Sequence, residues 1–334
     1  MNEQDRYEKI AGRYARTAVI EELTHSEVLS ICKKKNPTAY WGINTLGDIH
    51  SGYIVHFNKI KDLVDAGFKV TVFFADVHSS LSLEKRDPVL FEVSKKITKL
   101  FMNAIGIDLS RIKFSSAEDI VYNSEYFRDL IKLSRKIPFK RITKALPVGL
   151  RQDPRTLGEA IYPVLQNLDF KHLKVDLAIH TTDQRHTWIL GRDFKNILRI
   201  SPTCLLYKPM LDMKGNVGMC GRVSQDKLYV YDSPPKIHKK IQLAFCPLNK
   251  KNNPILEHVY HYFYAFGEQV KIDNITFDNY KKLESSFLTG KIHPLKLKKA
   301  LSEKLVDTFK PITVYLKDNP YEKEVLLNCK KRCR

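Results

Sequence analysis

No apolar run in the chain approaches the ~20 residues that a membrane-spanning helix needs. The longest, such as Val70–Ala75, have only strand length. The opening MNEQDRYEKIAGRY is charged throughout and shows no export signal. Cys-x-x-Cys pairs are also missing. Cys32, Cys204, Cys220, Cys246, Cys329 and Cys333 are scattered, and Cys329 with Cys333 has no second half for a zinc site. The expectation is therefore reduced thiols, no bound metal, no membrane partner and a cytoplasmic location. Acidic residues are scarce, 37 Asp and Glu against 56 Lys and Arg, giving +19 over 334 residues. Two readings follow: a lysine-rich solubilising surface, or a surface for a polyanion whose binding falls steeply as salt rises. No internal repeat or low-complexity tract is present.

What is there alternates. Apolar residues from Glu3 to about Lys33 recur at helical spacing, which predicts one or two leading helices. TAYWGIN at 38–44 reads as a strand and the stretch from Tyr53 to Gly67 as a helix with a glycine stop; KVTVFFAD is a buried strand. A helix from Pro88 to about Ala104 and the strand RIKFSSA follow, then helix 154–169, strand 175–181, helix 183–194 and strand 197–207. A Pro-Pro start marks a helix at 234. After about Asn252 the strands are expected to stop. The fold class is α/β: a Rossmann-like parallel-sheet domain over 1–250, leading helices included, followed by an all-α domain over 251–334.

In open α/β sheets ligands bind beyond the carboxyl ends of strands, beside helix N-termini. Three polar clusters fall at such places: GDIHSGY with His50 and Gly52, TTDQ with Asp183 and Gln184, and the glycine-bearing loop 212–227. That loop holds three glycines and no bulky apolar residue beyond valine and methionine, so it reads as a phosphate-holding loop or a long turn. Tyr162, Gln166 and Asp169 lie three or four residues apart, so one helical face carries all three. Such a face is either solvated or built to meet a ligand.

The ordered blocks resemble tyrosyl-tRNA synthetases of the archaeal and eukaryotic type, over roughly residues 8–315. Residues 40–81 are similar to the family's N-terminal block with a relaxed His-Ile-Gly-His signature. AIYPVLQNLDFKHLKVD and TDQRH are similar to its tyrosine-binding segment, and YDSPPKIHKKIQLAFCPLN to the segment after its second signature. FGEQVKI and YKKLESSFLTGKIHPLKLKKAL are similar to its anticodon-binding domain. The resemblance implies a class I tyrosine–tRNA ligase that is a homodimer working in protein synthesis on L-tyrosine, ATP with Mg²⁺, and tRNA(Tyr). It implies that Tyr40 and Asp169 pair with the substrate phenol, and that Tyr162, Gln166 and Gln184 hold the amino group and position the substrate. For ATP it implies His50 and Gly52 at the phosphates, Gly42 for close backbone approach, Asp183 at the ribose, and Met210 and Met219 beside the nucleotide. For the anticodon it implies Phe266, His293 and Lys296. Asp76 ends a strand and either holds the amino group or caps the next turn.

Three departures accompany the resemblance. The second signature, ideally Lys-Met-Ser-Lys-Ser, reads Gly218, Met219, Cys220, Gly221, Arg222, so its first lysine is lost. Arg222 is the candidate replacement, flanked by Lys214 and Lys227. His180 and Thr181 stand where the family has two glycines, and are expected against the nucleotide. Lys296 replaces an acidic residue that reads the first anticodon base. These departures keep alive a non-catalytic tRNA-binding protein as the alternative. A tryptophan-specific relative is opposed by Tyr40 with Asp169, because an indole has no hydroxyl to pair.

Overall fold

The computed structural model describes residues 1–81, 87–146, 156–218, 227–249 and 252–332, with side chains as far as Asn328. Met219, Cys220, Gly221 and Arg222 lie outside the described residues, and so do the side chains of Cys329 and Cys333.

Six strands form one sheet: β1 (Val19–Leu23), β2 (Thr38–Ile43), β3 (Lys69–Phe74), β4 (Ile112–Ser116), β5 (Leu177–Thr181) and β6 (Cys204–Tyr207). Their order is β1-β6-β5-β2-β3-β4, and every pairing is parallel except β1 with β6. The order reverses at β2, which has β3 on one side and β5 on the other. In a parallel sheet that reversal opens a crevice at the carboxyl ends of the two neighbouring strands.

The helices are α1 (Glu3–Ile10), α2 (His25–Cys32), α3 (Ile54–Asp65), α4 (Asp76–Ser80), α5 (Pro88–Ala104), α6 (Glu118–Val121), α7 (Ser124–Ser134) and α8 (Phe139–Ala145). They continue with α9 (Leu157–His172), α10 (Arg185–Asp193), α11 (Lys195–Leu198), α12 (Pro234–Leu243), α13 (Pro254–Tyr262), α14 (Tyr280–Leu288), α15 (Pro294–Asp318) and α16 (Pro320–Arg332). The chain forms two units. The first takes Met1–Leu46, Lys59–Glu92 and Asp108–Lys208; the second takes Gly47–Asn58, Val93–Ile107 and Pro209–Arg334.

Two elements differ from the sequence reading. The leading region is not all helix, because Val19–Leu23 forms β1 and closes the sheet edge antiparallel to β6. Its Val-Ile start suits a pleated edge, and sheet pairing outweighs a helical periodicity too short to nucleate alone. Strands also recur after Asn252: Val270–Ile272 (β7) and Ile275–Phe277 (β8) make a hairpin, with Asp273 at φ 54 in its turn. Asp tolerates that left-handed backbone better than most residues. The C-terminal region is otherwise helical.

In the first unit, Tyr40, Phe73, Ala178, Trp188, Cys204 and Phe170 share one core on the sheet face covered by α9 and α10. A second core joins Val164, Leu165 and Leu168 of α9 to Tyr126 of α7, Ile142 of α8 and Leu190 of α10. Helix α9 is thus buried on several sides, and any polar residue on it must find an internal partner or meet a ligand. Among the described residues no helix is long and apolar enough to cross a membrane.

Candidate active site

Alternation along β2 puts Tyr40 and Gly42 on one sheet face, with Phe73 opposite Gly42 on β3 and Ala178 opposite Tyr40 on β5. A Cβ at position 42 would stand 2.7 Å from the Tyr40 hydroxyl and 3.2 Å from its Cζ. Gly42 is therefore required by the neighbouring phenol. The rings of Phe73 at 5.9 Å and Trp188 at 6.3 Å flank Tyr40 and fix its direction.

Helix α9 brings Tyr162, Gln166 and Asp169 to one stripe, and Gln166 and Asp169 are buried. A solvated helix face is therefore excluded. Tyr126 Oη donates to Asp169 Oδ1 at 2.8 Å, and His78 Nε2 approaches Asp169 Oδ2 to 2.9 Å without an aligned hydrogen bond. Burial first, then the Asp169 carboxylate, holds the phenols of Tyr40 and Tyr126 far above the usual range. Burial, then Asp169 and Asp183, pushes Tyr162 up to about 12. Three protonated phenols thus surround one carboxylate. His78, absent from the sequence reading, also packs edge-on to Tyr162 at 5.8 Å. ADVHSS gave only a short polar run after a strand, and nothing local to it points at α9.

The acceptors around this carboxylate contrast with it. Gln166 Oε1, Gln184 Oε1 and Asp183 Oδ1 are buried without a protein hydrogen bond. Gln184 Nε2 donates to Asp183 Oδ2 at 3.2 Å, just past the end of β5. Asp76 Oδ1 accepts from Val77 N at 2.9 Å and from Glu118 N at 3.2 Å.

One expectation changes here. His180, expected against a nucleotide, points its ring to Tyr40 at 6.2 Å and Trp188 at 5.4 Å. Residues 178 and 180 share the sheet face of Tyr40, so the alternation of β5 carries the imidazole to that side. Burial pushes its pKa down to about 3, so the ring is neutral.

The chain matches the family "tRNA synthetases class I (W and Y)" over residues 33–310. It belongs to that family. It is 33% identical over 319 residues to the tyrosine–tRNA ligase of Methanospirillum hungatei, covering 91% of this chain and 99% of that one. The tyrosyl-tRNA synthetase of Archaeoglobus fulgidus, solved in complex with L-tyrosine, superposes with a TM-score of 0.82 at 28% identity, covering 98% of this chain and all of that one (100%). The Aeropyrum pernix enzyme does so at 0.85 and 26% identity, over 99% and 100% of the two chains. Class I tRNA synthetases use ATP.

In the second unit, the first signature segment of this synthetase lies along residues 227–231. His50 is buried and bridges to Tyr229; Gly52 is the middle residue of a short 3₁₀ turn, Ser51–Tyr53, leading into α3. Burial first, then the charges of Lys227, His56 and His258, lowers the His50 pKa well below the usual imidazole value. Met210 is buried, and its carbonyl accepts from Gly218 N at 3.2 Å. Lys227 is buried too, its Nζ paired to Asp48. Lys214 is exposed. At the far end, Phe266 is half-buried, and His293 Nδ1 accepts from Leu295 N at 3.2 Å, capping α15. Lys296 pairs with Asp273 at 2.5 Å.

Proposed function

We infer that this synthetase is a tyrosine–tRNA ligase: it activates L-tyrosine with ATP and passes the tyrosyl group to the terminal ribose of tRNA(Tyr). The observation that carries the choice of amino acid is Asp169, buried on α9 beside Tyr40 and held by Tyr126. A buried carboxylate and phenol pair with a substrate hydroxyl, and phenylalanine or tryptophan would leave them unpaired. Enzymes of this family are the standard instance of that rule. The acceptors Gln166 Oε1 and Gln184 Oε1 suit the three N–H groups of an α-ammonium, with Tyr162 orienting the substrate from the same helix face.

With its amino group held, the tyrosine carboxylate attacks the α-phosphorus of ATP and pyrophosphate leaves. The protein's part is positioning and charge stabilisation. His50 and Gly52 would face the phosphates, Asp183 the ribose, Gly42, Met210 and Met219 the nucleotide, and Arg222 the departing pyrophosphate. Mg²⁺ would accompany the ATP phosphates, with no protein side chain assigned to it. The catalytic part falls within residues 1–250 and the anticodon part, with Phe266, His293 and Lys296, within 251–334. Phe127 and Ile131, one turn apart on α7, are exposed with Tyr122 and Phe139 nearby in sequence. That apolar face supports a homodimer. The work belongs in the cytoplasm with translation.

Tyrosine-dependent exchange of labelled pyrophosphate into ATP tests the reading. Exchange is expected with tyrosine and not with phenylalanine or tryptophan. Its absence at high enzyme, with tRNA binding intact, would favour the non-catalytic alternative. Arg222→Ala should lower the rate tenfold or more, because one lost cation at a transition state costs ~10²–10³.

A further inference from the structure

The segment that carries His50 is fastened to residues 227–231 by four bonds, at Gly47, Asp48, Ile49 and Ser51. Tyr231 Oη donates to the Gly47 carbonyl at 2.8 Å, Val230 N donates to Ile49 O at 3.2 Å, and Ser51 N donates to Leu228 O at 2.8 Å. Between them Lys227 Nζ is paired with Asp48 Oδ2; the lysine side chain is 2% exposed and the aspartate 32%. Both sides are braced in turn. Lys240 Nζ donates to the Lys227 carbonyl and pairs with Asp232 at 2.6 Å, and Asp232 accepts from Tyr229 N at 3.0 Å. Tyr262 Oη donates to Ser51 O at 2.8 Å, and Ser51 Oγ lies 3.0 Å from His258 Nε2.

A buried lysine tied to a carboxylate is strongly destabilising to break and adds little when whole, so such a pair serves to fix geometry more than to raise stability. Nothing in the chemistry of tyrosine activation requires a charge pair at these two positions. What it fixes is the path of Gly47–Ser51. We infer that Lys227 and Asp48 are positioning residues for His50: the pair sets the register of its segment and so the place of its imidazole toward ATP. This rests on the proposed role of His50 on the ATP side. It also bears on the missing loop cation: Lys227 is committed to Asp48, which leaves Arg222 and Lys214 as candidates.

The charged and titratable groups acting on His50 are Lys227, His56 and His258, with the Tyr53 ring 4.7 Å away. The test compares K227M, D48N and the double variant in the full-length chain. In pyrophosphate exchange each single variant should raise KM for ATP about tenfold or more and leave KM for tyrosine within about twofold. The double variant should be no worse than the larger single, because both break one tie. In proton NMR the His50 ring signal, assigned with H50A, should shift in both single variants, and its titration midpoint should rise in K227M. A lower melting temperature with KM for ATP and the His50 signal both unchanged would overturn the inference and leave a merely structural tie. Should K227M not fold, D48N, altered at the more exposed end, carries the test. Should the wild type show no tyrosine-dependent exchange, the ligase reading fails, and the His50 signal still decides this one.

Discussion

The tyrosine pocket of the first unit and the His50 segment of the second are built on opposite plans. In the pocket, one helix stripe presents Tyr162, Gln166 and Asp169, and acceptors on Gln166 and Gln184 are left without protein partners. Along the His50 segment most polar groups are tied to protein: Asp48 to Lys227, Ser51 to Leu228 and Tyr262, Asp232 to Lys240. A site that must recognise a small, fixed shape can leave its own groups unsatisfied for the ligand to complete. A segment proposed to hold one side chain near a flexible polyphosphate is better held by its neighbours. The first plan makes specificity sensitive to single atoms, and the second makes rate sensitive to distant ties.

The sharpest way to break the pocket side is Asp169→Ala. It would leave the substrate phenol without its carboxylate partner, a buried group worth ~1–3 kcal/mol when unpaired, and the Tyr126 hydroxyl with the Leu165 carbonyl at 3.1 Å in place of Asp169. The expected fall in kcat/KM for tyrosine is ~10–10², with the value for phenylalanine rising or unchanged. Equal losses for both amino acids would mean that Asp169 holds the fold and does not read the hydroxyl.

The same contrast decides what was legible in the sequence. The stripe of α9 repeats at helical spacing, so Tyr162, Gln166 and Asp169 could be grouped before any coordinates. The parallel sheet was visible because its strands are short apolar runs between helices. His78 was not, since its partner Asp169 is 91 positions away and the approach exists only once α4 and α9 meet. Lys227–Asp48 is hidden for the same reason, and Lys227 was grouped with Lys214 beside Arg222 because its burial is a tertiary fact. β1 and the β7–β8 hairpin were missed because pairing across the chain outweighed local periodicity. Gly42 was placed at ATP by resemblance, yet its immediate constraint is the ring two residues before it.

Acid should break the second plan sooner. Burial pushes His258 down to about 4 and His261 to about 3. An unfolded histidine titrates near 6.5, so each contributes stability fully above that pH and loses it as pH falls toward the folded value. The loss approaches about 1.4 kcal/mol per pH unit and per histidine once the pH is well below 6.5, hence ~2 kcal/mol for the two between pH 6.5 and 5.5. Hydrogen exchange on segments 47–58 and 254–262 should show this loss of protection. Strand β5, with His180 alone, should lose about half as much. Equal losses in both regions would remove the asymmetry.

A finer break in the pocket is Gly42→Ala. The added methyl meets the Tyr40 hydroxyl and should cost ~1–3 kcal/mol of stability together with affinity for tyrosine. The background Tyr40→Phe removes the atom it strikes, so G42A in Y40F should cost clearly less than G42A alone. Additive losses would show that the glycine serves something other than the phenol.

The smallest expected effect lies at the pair Lys296–Asp273, where both side chains are more than half exposed, at 54% and 60%. Such a pair contributes ~0–1 kcal/mol and is screened by salt, so RNA can open it. Lys296, expected at the anticodon by resemblance, carries an acidic neighbour on the hairpin turn, and RNA approaching there would compete with Asp273 for it. D273A should leave the melting temperature nearly unchanged while tightening tRNA binding at low salt and steepening its salt dependence by about one unit. K296A should weaken binding and flatten that slope by the same amount. If neither variant alters KM for tRNA at any salt concentration, position 296 does not meet RNA, and the anticodon role expected of it fails.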